Sequence, residues 1–146
     1  MLLYSASYVS RATDGVFHSY SLPVGNLTNT GDMLLVDFGY ATQNGGTGTI
    51  TLSFGSAAIA IPNFASSWAN GDDGRFLMRV IRTGATTQRV VGMTIGTINT
   101  GSHNSVQFVA GTETLSGSVT ISSSASGIGG GNTIIGGPFT VTLYEV

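Results

Sequence analysis

The chain has 146 residues, of which 41% are hydrophobic, so it can bury the core of one domain and does not have the composition of a disordered protein. Only 8% of the residues are charged, the net charge is −2 and lysine is absent, which excludes the basic surface of a nucleic-acid-binding protein. Cysteine is absent, which excludes disulfides and thiolate metal sites, and no apolar run is long enough to cross a membrane. We therefore expect neither nucleic acid nor membrane as a partner.

Hydrophobic and polar residues alternate along most of the chain, a period of two that predicts β-strands. The predicted strands, in chain order, comprise residues 16–22, 32–40, 47–54, 57–61, 75–82, 87–95, 105–110, 118–123 and 139–146. Glycine-containing turns separate them, and no segment predicts an amphipathic helix. The pattern is typical of an all-β protein, an antiparallel β-sandwich, jelly roll or barrel of eight to nine short strands. Residues 122–137 are rich in Ser and Gly and are predicted to form a long mobile loop.

The scarcity of charge also bears on assembly. Few charges give little electrostatic repulsion between copies of the chain. We therefore expect part of the surface to be buried against partners, the alternative being a neutral monomer covered by Ser and Thr.

Residue patterns that carry enzyme or metal chemistry are missing. His18 and His103 have no second ligand at metal-binding spacing, and no nucleophile elbow occurs. The oxygen-rich run 70–74 lacks the spacing of a calcium loop and is better explained as a turn. We expect a non-enzymatic protein without cofactor or metal.

The strand 75–82 contains arginines among aliphatic residues. Arg79 shares a face with Leu77 and Ile81, so we expect it to be partly buried and to need a carboxylate, for which Asp37 is the candidate. A face that combines arginine with aliphatic side chains is typical of a protein interface. The alternative is that Arg79 is exposed near a strand edge.

Several segments resemble a β-domain of tailed-bacteriophage virion proteins found in capsid decoration proteins, head fibres and tail fibres. The most specific is FLMRVIRTGATTQR at 76–89. The others, in chain order, are HSYSLP at 18–23, TGDML at 30–34, TGTITLSFG at 47–55, LSGSVTI at 115–121 and TVTLYEV at 140–146.

This resemblance implies a jelly-roll-like domain over residues 16–146 that forms homotrimers, preceded by an N-terminal arm over residues 1–15. A short arm and a trimeric body suit a capsid decoration (cement) protein on the virion surface that binds the major capsid protein. The expected capsid contacts are Leu2, Leu3, Tyr4 and Tyr8, and the expected trimer contacts are Arg79, Arg82 and Tyr144.

The alternative is a tail-fibre domain that recognises a glycan on the host cell surface. Exposed aromatic and acidic side chains are the residues that such a site uses. The candidates for it are Trp68, Asp72, Asp73 and His103.

Overall fold

The alternation of apolar and polar residues is reproduced as alternation of buried and exposed side chains. The computed structural model describes residues 1–60, 69–98 and 101–146. In the strand Met33–Gln43, Leu34, Val36, Phe38 and Tyr40 point inward while their neighbours are only partly buried. The β-strand period of two is thus confirmed, because a strand sends successive side chains to opposite faces of its sheet.

The described residues form eleven strands and no helix. The strands are β1 (Leu2–Ala6), β2 (Val9–Arg11), β3 (Gly15–Leu22), β4 (Met33–Gln43), β5 (Thr47–Phe54), β6 (Ala57–Ala60), β7 (Asp73–Arg82), β8 (Gln88–Ile98), β9 (Gly101–Gly111), β10 (Val119–Gly129) and β11 (Thr133–Tyr144). The nine predicted strands correspond to β3–β11, and β1 and β2 were not predicted.

The strands form two antiparallel sheets that pack face to face as a sandwich. The larger sheet has the order β1–β11–β4–β7–β8–β9, with β2 also paired to β11, and the smaller sheet has the order β3–β10–β5–β6. If β8 and β9 are set aside and β1 and β2 are counted as one edge strand, each sheet has four strands, in an order typical of a jelly roll. The hairpin of β8 and β9 extends the larger sheet beyond this jelly roll.

The core lies between the inner faces of the two sheets. Its largest fully buried side chains are Phe38, Phe54, Phe76, Phe139, Leu34, Ile50, Leu52, Ile59, Met78 and Ile121. Phe38 and Phe139 meet edge to face, with 6.3 Å between ring centroids. This core leaves the outer face of each sheet to other partners or to solvent.

The prediction of a long mobile loop at 122–137 was wrong. Strand β10 continues to Gly129, and the backbone N–H of Asn132 donates to the carbonyl of Gly129 at 3.2 Å in a tight turn before β11. Ser123 and Ala125 take inward positions in β10. Small side chains therefore occupy core positions here, and the segment does not show the apolar alternation by which a strand is recognised.

The N-terminal segment lies along the larger sheet. Strands β1 and β2 follow one another along the same edge of β11, β1 opposite residues 139–142 and β2 opposite residues 134–136. The predicted arm therefore supplies edge strands to the sandwich.

No segment within the described ranges forms a helix capable of spanning a lipid bilayer.

Candidate self-association surface

The hairpin of β8 and β9 exposes several apolar side chains and turns several polar ones inward. On β9, Val106 and Phe108 face outward with 56% and 71% of their surfaces exposed. The alternating residues, His103, Ser105 and Gln107, face the interior and are partly buried. Gln107 donates from its amide to the backbone carbonyl of Ala60 at 2.5 Å, which joins β9 to the edge of the smaller sheet. An apolar outer face on a polar inner face is the reverse of the usual arrangement for a solvated sheet.

Neighbouring strands continue this exposed apolar surface across the outer face of the larger sheet. In the strand register, Val106 lies opposite Met93, Phe108 opposite Val91, and Met93 opposite Leu77. We call these residues the outer apolar patch, whose members are Leu77, Val91, Met93, Ile95, Val106 and Phe108. Met93 and Ile95 are exposed, whereas Leu77 and Val91 are partly buried. A contiguous apolar surface of this kind on a small domain is characteristic of an interaction site.

The charged groups on this face lie beside the patch. Asp37 forms an ion pair with Arg75, in which Arg75 Nε lies 3.1 Å from Asp37 Oδ1 and Arg75 Nη2 contacts Asp37 Oδ2. The prediction that Asp37 pairs with Arg79 was therefore wrong. Asp37 lies opposite Leu77, so Arg75 and Arg79 flank it on the same face, and sequence spacing could not choose between them.

Arg79 is exposed, so the prediction that it is partly buried was wrong. It lies in the middle of the outer face on β7, between β4 and β8, whereas the alternative placed it near a strand edge. Its register neighbours are Leu35 on β4 and Val91 on β8. Among the described residues it forms no ion pair. Arg79 thus borders the patch, with an aliphatic side chain opposite it on each neighbouring strand.

Two other expected trimer contacts have different surroundings. Tyr144 lies on the outer face of the larger sheet, opposite Met33, and is exposed. Arg82 instead donates to two backbone carbonyls, from Nη1 to Leu27 at 2.6 Å and from Nε to Gly84 at 3.1 Å. Arg82 therefore holds a loop of its own chain.

The four expected capsid contacts also separate into two kinds. Leu2 and Tyr8 are exposed. Leu3 and Tyr4 are partly buried against the core, and Tyr4 stacks on Tyr20 with 5.0 Å between ring centroids. Leu2 and Tyr8 are thus the members of this set that are accessible to a partner.

The expected glycan-site residues do not form one exposed group. Trp68 lies outside the described residues. Asp72 is buried and accepts a hydrogen bond at 2.6 Å from the backbone N–H of Ala69, His103 is partly buried on the inner face of β9, and Asp73 is exposed. The Asp72 contact also supports the interpretation of residues 70–74 as a turn.

Two buried titratable side chains have shifted pKa values with structural causes. Burial lowers the pKa of His18, whose ring stacks on Phe139 at 5.3 Å. Burial, aided by the nearby charges of Asp72 and Asp73, raises the pKa of Tyr40 to about 12. His18 is therefore neutral at physiological pH, and Tyr40 keeps its phenolic proton.

In the part of the chain that the structure describes, no three His, Cys, Asp or Glu side chains converge on a point.

The outer apolar patch was not predicted as a unit. Polar and apolar residues alternate at 103–108 in the sequence, but this alternation does not indicate which side of the strand faces the core. Only the position of β9 at the end of the larger sheet makes its apolar side the outer one.

No family model matches this chain, and no curated protein is significantly similar to it in sequence.

Proposed function

We propose that this chain is a non-enzymatic structural protein of a bacteriophage virion, a capsid decoration (cement) protein that binds the major capsid protein as a homotrimer. The observation that carries the proposal is the outer apolar patch, which exposes Val106, Phe108 and their neighbours in a chain with few charged residues. The virion and the trimer come from the resemblance of residues 76–89 and the other segments to phage surface domains.

The partner proposed for the patch is the same patch on two other copies of the chain. Around a threefold axis the contact is head to tail, so one side of the patch on each copy packs against the other side of the patch on the next copy. The patch itself contains no ionised group, so equivalent patches meet without charge repulsion. Arg79, at its border, would find carbonyl or carboxylate acceptors on a neighbouring copy.

Attachment to the capsid would then be adhesive and multivalent. A trimer presents three copies of each contact surface, so that contacts that are weak individually add up to firm attachment on a regular lattice. The exposed arm residue Leu2 is a capsid contact in this proposal. Gene order gives an independent indication, since a neighbouring major capsid protein gene favours this function and a position among tail genes favours a fibre.

The test of self-association compares two exposed valines on opposite sheets. Val106 lies in the patch, whereas Val16 lies on β3 of the smaller sheet and is 46% exposed. Size-exclusion chromatography with light scattering should give wild type and Val16→Ser a mass three times that of the 14.9 kDa chain.

The double variant Val106→Ser, Phe108→Ser should dissociate. Each buried side chain of this kind contributes about 1.5–3 kcal/mol, so the dissociation constant should rise at least about tenfold. A monomeric wild type, or a double variant that remains trimeric at every concentration, would contradict the proposal.

A further inference from the structure

A depression on the outer face of the larger sheet, separate from the outer apolar patch, has the construction of a small-ligand site. It has a volume of about 400 Å³ and lies where Gly39 and Ala41 of β4 present little side chain. Tyr8 and Pro138 form one wall, and Asp37, Arg75 and Asp73 form the other. Small-ligand sites commonly enclose about 300–1,000 Å³, so the depression is large enough for one. We call it the Tyr8 depression.

Two glycines bring the walls together. A Cβ on Gly39 would lie 2.5 Å from the carbonyl oxygen of Gly137 and 3.2 Å from Pro138 Cδ. A Cβ on Gly137, whose φ is +128°, would lie 2.9 Å from Tyr8 Cα. Because both glycines lack this atom, the segment with Tyr8 packs closely on β11 and β11 on β4. The position of Tyr8 is therefore set by the packing of the backbone.

The two walls differ in chemistry. Tyr8 is 67% exposed and offers an aromatic surface, which Pro138 extends. Across the depression, the ion pair with Asp37 engages two of the five N–H groups of Arg75. The other three guanidinium N–H groups have no acceptor among the described residues, and the carboxylate keeps spare lone pairs. One wall can therefore stack on a ring while the other donates and accepts hydrogen bonds.

The charges in the depression decide which class of ligand it suits. Arg75 is balanced by Asp37, and Asp73 adds one further negative charge, so the lining has a net charge of about −1. A phosphate, a sulfate or a carboxylated sugar would meet repulsion from Asp73. A neutral ligand with many hydroxyl groups meets none, and its hydroxyls can bond to both members of the ion pair.

We propose that the Tyr8 depression binds a neutral saccharide, with one sugar ring stacked on Tyr8 and its hydroxyl groups bonded to Arg75 and Asp37. This site differs from the glycan site expected from the sequence, with which it shares only Asp73. It adds a binding activity to the proposed structural function and does not depend on the oligomeric state.

The test is an array of printed glycans, both neutral and sialylated, probed with the purified full chain. Neutral glycans identified in this way are then measured by saturation-transfer NMR at millimolar glycan. Wild type should bind neutral glycans and not sialylated ones. Tyr8→Ala should bind about tenfold more weakly or not at all, whereas Tyr8→Phe, which keeps the ring, should bind like wild type.

The matched control is Tyr144→Ala, which removes a tyrosine that is 48% exposed at the other end of the same face. It should leave glycan binding unchanged. The inference is overturned if no neutral glycan binds, if only sialylated glycans bind, or if Tyr8→Ala binds as well as wild type. Light scattering on the same samples separates the two proposals: a trimer without glycan binding overturns only this inference, and a glycan-binding monomer overturns only the trimer.

Discussion

At the scale of single residues, the carboxylate of Asp32 accepts hydrogen bonds that connect distant parts of the chain. Its Oδ2 accepts hydrogen bonds from the backbone N–H groups of Thr28 and Asn29, at 2.8 and 2.7 Å, and its Oδ1 accepts one from Val146 at 3.2 Å. Asp32 is fully buried. One side chain thus joins the turn before β4 to the C-terminal residue.

Asp32→Asn should destabilise the fold. The amide keeps the shape of the carboxylate but has one acceptor oxygen in place of two and no charge, so at least one backbone donor loses its partner. Loss of such charge-assisted hydrogen bonds costs about 1–3 kcal/mol. Urea unfolding at neutral pH should show this decrease, and Glu145→Gln, at an exposed acid near the C-terminus, should leave the free energy of unfolding unchanged. Equal stability of the two variants would contradict the role given to Asp32.

Two carboxylates should make the stability depend on acid pH. The backbone N–H of Asn29, with further donors, holds the pKa of Asp32 below its ordinary 3.8. The hydroxyl of Ser56, followed by its backbone N–H, holds the pKa of Glu113 below its ordinary 4.5. The stabilisation is complete above the ordinary pKa values and is lost as the pH falls from about 4.5 through the lower folded values.

Urea unfolding between pH 7 and pH 2 measures this loss. The free energy of unfolding should fall as the pH drops through the acid range, and it should fall less steeply in Asp32→Asn, because that variant has lost one of the carboxylates whose pKa is lowered in the folded state. A wild-type free energy that does not change across the acid range would show that these hydrogen bonds do not stabilise the folded state.

At the scale of elements, two side chains of β1, Leu3 and Tyr4, pack against the core of the sandwich. Tyr4 stacks on Tyr20 and meets Phe139 edge to face at 6.0 Å, whereas Leu2 on the same strand is exposed. Backbone pairing with β11 adds to this attachment. Tyr4 is therefore the aromatic anchor of β1, and Leu2 is accessible to a partner.

Tyr4→Ala should weaken the attachment of β1. The change removes a partly buried aromatic ring and its two ring contacts, at a cost of about 1–3 kcal/mol. Thermal or urea unfolding should detect it, and hydrogen exchange should speed up selectively in β1 and the adjoining part of β11. Leu2→Ala is the control and should change neither measurement. Comparable effects of the two substitutions would mean that backbone pairing alone holds the strand.

The strands also differ in how well they could be predicted from the sequence. The strands β4, β5 and β7 were predicted because large apolar side chains recur there at every second position. The strand β10 was cut short because Ser123 and Ala125 replace large residues at inward positions. The strands β1 and β2 were missed because they are short edge strands whose pairing partner lies more than a hundred residues away.

At the scale of the whole molecule, the two sheets make different contributions to the structure. The smaller sheet covers the core, while the larger sheet, widened by β8 and β9, presents the outer apolar patch and the Tyr8 depression. In the proposed trimer the patch is covered by the other copies. The exposed end of β1 then remains for the capsid.

The proposed function predicts that Leu2→Asp reduces binding to the capsid without disturbing the proposed trimer. Leu2 is exposed at the start of β1, so a charge there leaves the fold intact and opposes burial against an apolar shell surface. Cosedimentation with shells built from the major capsid protein of the same phage measures occupancy, and Val16→Ser is the control. Unchanged capsid occupancy for Leu2→Asp would show that the arm does not contact the capsid through Leu2. A substitution is preferable to deleting the first ten residues, since that deletion would also remove β1 and Tyr4.

The sequence by itself determined the all-β class, the approximate positions of nine strands and the low charge of the chain. These follow from local alternation and composition, which do not depend on which strands are neighbours. Only the tertiary structure decided that Asp37 pairs with Arg75, that the apolar side of β9 faces outward, and that Tyr8 meets Arg75 across a depression. Each of these depends on strand order and register, which are set by contacts between residues distant in the chain. Local alternation of apolar and polar residues carries no information about such contacts.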